Sequence, residues 1–247
     1  MTSPAPWRRF LAELVGTALL VTAVVGSGIM ASTLSPHDIG LQLLENSVAT
    51  ALALGALILT FGPVSGAHFN PVVSAADWFL GRRSRTGLTA KDLLGYVLAQ
   101  IVGAIGGSVL ANLMFGLAAV HMSTKDRAAT HLWLGEVVAT TGLVLLIFAL
   151  ARSGRAPVAP AAVGAYIGAA YWFTSSTSFA NPAVTIGRAF TDTFAGIAPA
   201  SVPGFVVAQI IGLAVGVGLL VALYPHAGRS ADEVVVAHPA TDDVRVP

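Results

Sequence analysis

Cysteine is missing from the 247-residue chain. Its absence excludes disulfides, thiol chemistry and cysteine-bound metal, and leaves the compartment open. Charge is also sparse. Asp, Glu, Lys and Arg make up 10% of the residues and nearly cancel, to a formal net charge of +1, so no nucleic-acid partner is expected. The six histidines stand singly, without paired ligand spacing such as His-Glu-x-x-His, and neither a metal nor another cofactor is expected. No nucleophile with an adjacent base, no carboxylate pair and no phosphate-binding glycine loop is present, so the chain does not read as an enzyme.

Apolar residues fill the space that charge leaves. They account for 55% of the chain, and the mean hydropathy is +0.78, far from a soluble protein of this length. Six apolar runs read as membrane spans, at about 10–30, 41–61, 91–117, 132–151, 156–174 and 202–223. The first is too long for a signal-peptide core and reads as a retained helix behind the interfacial Trp7-Arg8-Arg9. Gly62-Pro63 is expected to break the second. Residues 1–225 are expected to form one membrane domain, and 226–247 a mixed-charge cytoplasmic tail without a long apolar run. Arg8, Arg9, Arg82, Arg83, Arg85, Lys91, Arg152 and Arg155 fall on one side of this arrangement, with Arg229 and Arg245 in the tail. Lys125 and Arg127 fall on the other. The positive-inside rule then makes both termini cytoplasmic in a cell (inner or plasma) membrane.

Two nine-residue stretches break the apolar pattern in matching fashion: Ser65-Gly66-Ala67-His68-Phe69-Asn70-Pro71-Val72-Val73 and Ser176-Thr177-Ser178-Phe179-Ala180-Asn181-Pro182-Ala183-Val184. Asn followed by Pro starts a helix, because Asn caps free N–H groups and Pro at the first position sacrifices no bond. The helix after Asn70 is expected to reach about Leu80, roughly 15 Å at 1.5 Å per residue, half of a ~30 Å hydrocarbon core. The one after Asn181 is expected to reach about Thr193. Irregular backbone at membrane depth is tolerated where it is buried in protein or lines a watery cavity, so two capped half-helices point to a pore.

The halves also repeat each other, at about 8–117 and 131–224. Ala12-Glu13-Leu14-Val15 is echoed by Gly135-Glu136-Val137-Val138, and Ala99-Gln100-Ile101-Val102-Gly103 by Ala208-Gln209-Ile210-Ile211-Gly212. Three spans per half is an odd number. The second half must therefore start from the opposite face, which gives an inverted repeat whose half-helix N-termini meet near the midplane.

The paired boxes Asn70-Pro71-Val72 and Asn181-Pro182-Ala183, with their flanks, resemble the paired Asn-Pro-Ala boxes of the aquaporin and aquaglyceroporin family, over roughly residues 13–224. The resemblance implies an all-α membrane fold of six transmembrane helices plus two half-helices. It also implies a homotetramer in the lipid bilayer and passive passage of small neutral solutes. The carbonyls of Gly66, Ala67, His68, Thr177, Ser178 and Phe179 correspond to the family's line of acceptors along the pore. Glu13 and Glu136 correspond to the acid that holds loop N–H groups, although either alone also reads as snorkelling at an interface. His68 reads equally well as a packed core histidine.

One departure matters for selectivity. Most members carry Arg three residues after the second box Asn, and here that residue is Val184. Transferred by spacing, the other filter positions are Thr50, Ala169 and Ser178, all small or uncharged, which implies a wide opening. This pattern resembles the bacterial aquaglyceroporin-like subgroup linked to arsenical resistance, with glycerol, urea and trihydroxy-arsenite as candidate solutes beside water. Arg188, one turn past Val184, either replaces the lost cation at the outer mouth or pairs with Asp192. A water-selective aquaporin is the alternative, and a secondary transporter on an inverted repeat a more distant one.

Overall fold

The computed structural model describes residues 4–82, 84 and 86–224. Arg83 and Arg85 of the basic loop, and the tail with Arg229 and Arg245, lie outside the described residues. The described chain is helical: α1 Pro6–Leu34, α2 Ile39–Ser65, α3 Pro71–Gly81, α4 Ala90–Met114, α5 Thr130–Arg152, α6 Ala159–Phe173, α7 Pro182–Gly187 and α8 Val202–Leu223. Five helical segments are long and apolar enough to span a membrane: α1, α2, α4, α5 and α8 with the 3-10 turn before it. The sixth expected span is α6, 15 residues long and preceded by the 3-10 turn Ala156–Val158.

Helix α1 runs about four residues past its expected bounds at each end, and three other boundaries differ in ways the local structure explains. Pro63 does not end α2; it sits in the last turn, and the helix continues to Ser65. The stop comes from Gly66, left-handed at φ 82°, whose N–H closes on Gly62 O at 2.9 Å. Secondly, α7 is shorter than its sequence suggested, ending at Gly187 and tightening into the 3-10 turn Arg188–Phe190 before Thr191 turns extended. Close packing fixes that end, since a Cβ on Gly187 would lie 2.6 Å from Ala104 O of α4. Thirdly, α4 ends at Met114 rather than near Leu117, where Phe115 and Gly116 turn the chain.

Glycine sets the tightest helix contacts. A Cβ on Gly103 or Gly107 of α4 would sit 2.3 Å from Leu14 O or Ala18 O of α1. In the second half, a Cβ on Gly212 or Gly216 of α8 would sit 2.7 Å from Val137 O or 2.9 Å from Thr141 O of α5. Small residues one turn apart let backbones approach where lipid supplies no hydrophobic drive between helices. Thr22 Oγ1 donates across the first contact to Gly107 O, and Thr141 Oγ1 across the second to Gly212 O. The repeated α1–α4 and α5–α8 pairs flank a centre into which α3 and α7 insert from their own halves.

Candidate functional site

The two irregular segments have the same backbone. Ala67 and Phe69 in the first, and Thr177, Ser178 and Ala180 in the second, hold φ between 48° and 61°, with Gly66 occupying the place of Thr177. Left-handed conformations of this kind are sparsely populated for non-glycine residues and persist when their surroundings over-determine them.

Here the surroundings are two buried carboxylates. Glu13 Oε1 accepts from His68 N at 2.9 Å and Ser65 Oγ at 2.7 Å, and Oε2 from Phe69 N at 2.7 Å and Gln100 Nε2 at 2.8 Å. Glu136 Oε1 accepts from Phe179 N at 2.8 Å, and Oε2 from Ala180 N at 2.8 Å and Gln209 Nε2 at 2.6 Å. Each glutamine reaches on to the half-helix, to Ser74 Oγ at 3.0 Å or Thr185 Oγ1 at 2.9 Å. Acid, glutamine and hydroxyl thus form one unit in each half, and both acids are 0% exposed, so neither is snorkelling. Removing one acid would leave two buried N–H groups without an acceptor, at about 1–3 kcal/mol each.

The half-helices begin on reciprocal bonds. Asn70 Oδ1 caps Val72 N at 3.1 Å, and Asn181 Oδ1 caps Ala183 N and Val184 N at 3.0 and 3.2 Å. Their amide nitrogens cross over: Asn70 Nδ2 donates to Ala180 O at 2.7 Å and Asn181 Nδ2 to Phe69 O at 2.8 Å. The cross-over brings the two helix starts together. Pro71 and Pro182 take the first helical positions, and Val72 and Ala183 are buried behind them.

A narrow central cavity runs past this junction, with about 60 Å³ open to water-sized molecules, enough for a short file of them. Asn70, Asn181, Ala67, His68, Ser178, Phe179, Thr50, Val184 and Arg188 line it; Gly66 and Thr177 do not. His68 joins the lining while its Nδ1 meets Ser74 Oγ at 3.0 Å and its ring meets Tyr96 edge-on at 5.3 Å. Much of the remaining lining is aliphatic, with Leu20, Val24, Leu54, Leu143 and Val163 among its residues.

Ala169 is not in this lining. It is exposed on the outside of α6, because Ile167 and Tyr171, four residues apart, share the inner face and Ala169 falls between them on the other. Tyr171 takes the α6 place instead, with its hydroxyl 3.3 Å from Thr50 Oγ1. Spacing from the box missed it; the helical period, applied inward from Val163, points to it.

Arg188 is buried and faces the cavity. Its Nε donates to Ala195 O, and its guanidinium lies 3.4 Å above the Phe179 ring. Among the described residues no carboxylate lies within 4.0 Å of it. Asp192 is turned away and accepts from Thr124 N at 2.9 Å and Thr124 Oγ1 at 3.1 Å. The loop that carries Thr124 is pinned further by Arg127, whose Nε reaches Gly196 O at 3.0 Å and whose guanidinium lies 5.1 Å from the same Phe179 ring.

Apolar spanning helices around a mostly apolar cavity with hydrogen-bonding residues in its lining, entered by two half-helices that meet at their starts, define an α-helical membrane channel. The chain belongs to the major intrinsic protein family, whose model matches residues 1–179. It is 51% identical over 213 residues to the "Aquaglyceroporin AqpS" of Rhizobium meliloti (strain 1021), covering 86% of this chain and 88% of that protein. It is 29% identical over 247 residues to the "Propanediol uptake facilitator PduF" of Citrobacter freundii, covering 85% and 89%. In fold it is similar to the solved aquaglyceroporin of Plasmodium falciparum, with a TM-score of 0.63 and 20% identity over 89% of this chain and 96% of that one. It is a passive channel of the membrane, not an enzyme.

Proposed function

We propose that the channel carries small uncharged polyols of the glycerol and propanediol kind down their gradients. The mixed lining of the cavity, aliphatic and hydrogen-bonding residues together, is the observation that carries this reading. A polyol has a hydrocarbon edge and a hydroxyl edge; the aliphatic lining residues Leu20, Val24, Leu54 and Val163 suit the first, and Asn70, Asn181, Ser178 and the Thr50–Tyr171 pair suit the second. Names of relatives at 51% and 29% identity point the same way. Urea and trihydroxy-arsenite, small and neutral, remain candidates on the same chemistry.

In this reading Thr50, Tyr171, Ser178 and Val184 form the filter with Arg188, and the box asparagines offer their remaining amide hydrogens to passing hydroxyls. Glu13 and Glu136 act as loop supports, which leaves no acid in the lining to couple an ion gradient and so favours a channel over a carrier. Arg188 sets a positive charge on the path and works against cations. Cytoplasmic termini follow from the basic residues at 8, 9, 82, 152 and 155, and a homotetramer from the family resemblance. A second reading, water selectivity, is favoured by the aromatic Tyr171 and the cation Arg188 in the lining.

Stopped-flow swelling of proteoliposomes tests both, with water, glycerol, propanediol, urea and arsenite compared side by side. The polyol reading expects glycerol and propanediol flux well above that of empty vesicles, without saturation or dependence on an ion gradient. Water flux alone would leave the second reading standing and overturn the first.

A further inference from the structure

The two half-helices meet their neighbours differently. Gly187 at the end of α7 is pressed against the α4 backbone, whereas α3 and α8 leave a groove of about 540 Å³ open on the outer face of the molecule. Ala75, Trp78 and Phe79 of α3 form one side, and α8 from Ile210 to Val221 forms the other. Every side chain lining it is apolar, and a Cβ placed on Gly218 of α8 would meet nothing within 4 Å. Eleven steps along α8 cover roughly 16 Å, at 1.5 Å per residue. That is close to half of a ~30 Å hydrocarbon core, the depth of a single leaflet.

A charge sits at the groove's end. Arg82 follows the last turn of α3, is exposed, and stacks its guanidinium on the two aromatic residues that line the groove, 4.1 Å from the Phe79 ring and 5.9 Å from the Trp78 ring. Among the described residues no carboxylate lies within 4.0 Å of it. In sequence it opens Arg82-Arg83-Ser84-Arg85, with Lys91 beyond. Basic residues beside grooves between membrane helices attract anionic headgroups, and guanidinium pairs with phosphate through directed N–H donors.

We propose that the α3–α8 groove holds one acyl chain of an anionic glycerophospholipid, with its headgroup phosphate on Arg82. The depth of the groove selects a chain from one leaflet over a second spanning helix. The stacked guanidinium selects an anionic head over a zwitterionic one.

The test uses the full-length channel reconstituted with equal phosphatidylglycerol and phosphatidylethanolamine, with retained lipid read by native mass spectrometry. The wild type is expected to retain phosphatidylglycerol about fivefold over phosphatidylethanolamine, the scale of one arginine at an anionic surface. Arg82→Gln should bring that ratio to near unity. Gly218→Leu, which extends a side chain into the groove from a Cβ position with nothing within 4 Å, should reduce retention of both lipids. Equal retention of the two lipids by the wild type overturns the proposal, and so does an unchanged ratio in Arg82→Gln. Undiminished retention in Gly218→Leu would place the lipid elsewhere, and cross-linking between copies through Trp78 would give the groove to a second chain; either refutes it.

Discussion

A buried guanidinium facing a cavity without a carboxylate beside it is held by shape and weak contacts. Arg188 has the Ala195 carbonyl behind it and the Phe179 ring beneath it, and a cation over a desolvated aromatic face gains about 2 kcal/mol. Its terminal nitrogens are left to meet what passes. Val184, which stands where most family members have Arg, lines the same cavity. From this geometry, Arg188→Ala is expected to raise glycerol permeability relative to water several-fold, the scale of one polar contact at about 1 kcal/mol. Val184→Arg should shift the ratio oppositely by narrowing the path. Stopped-flow measurement on both variants at matched protein level checks the pair. If Arg188→Ala leaves the ratio unaltered, the guanidinium does not set the width. The residue types of this site were readable from the boxes, but their facing was not. Counting back from Asn181 gave Ala169, while the cavity takes Tyr171, because Ser175 to Ala180 form an irregular run through which helical register cannot be carried.

Among the helices, glycine decides which faces meet. The sequence shows Gly103, Gly106 and Gly107 in one span without saying which of them is a contact. Packing separates them: a Cβ on Gly103 or Gly107 would run into the α1 backbone, and one on Gly106 would meet nothing within 4 Å. Gly103→Leu is therefore expected to push α4 off α1, since overpacking a tight contact costs about 1–3 kcal/mol or more. Gly106→Leu should be tolerated. Size-exclusion profiles of detergent extracts give the comparison: loss of the monodisperse peak in the first and a wild-type profile in the second. Two equal profiles would mean that the α1–α4 contact can slide. Helix ends followed similar logic. Asn-Pro marked both starts correctly, whereas the end of α7 at Gly187 depends on the Ala104 backbone of another helix, which no local signal contains.

For the molecule as a whole, the loop joining the halves is bonded to the segment that follows α7. His121 N and Ser123 N donate to Phe190 O and Ala189 O, Lys125 Nζ reaches Phe194 O at 2.9 Å, and Arg127 N reaches Ser201 Oγ at 2.9 Å. Burial, with Arg127 and Arg188 nearby, lowers the Lys125 pKa from 10.5 to about 8. Between those values the unfolded chain binds more protons than the folded one. Stability should therefore rise with pH from about 8 to 10.5, and the penalty on the charged lysine is fully present below 8. Partial exposure keeps the effect small. The melting temperature in detergent, followed by tryptophan fluorescence, should climb across that window more in the wild type than in Lys125→Met. Parallel curves would remove Lys125 from the account.

The sequence by itself determined the class of this protein and the centre of its site. Hydropathy placed it in a bilayer, and the duplicated Asn-Pro starts, acids and glutamines needed only their own spacing to announce a two-fold arrangement. Such features are local: a cap works within three residues and an apolar run within one span. Tertiary structure decided what lies between elements. It brought Glu13 to His68 N and Phe69 N, crossed Asn70 and Asn181 onto each other's segments, turned Tyr171 inward, bound Asp192 to Thr124, and closed α7 on α4 while leaving a groove between α3 and α8. Each of these is a contact between distant stretches, set by which backbones can approach and which buried polar groups must find partners, and neither condition exists before the chain is folded.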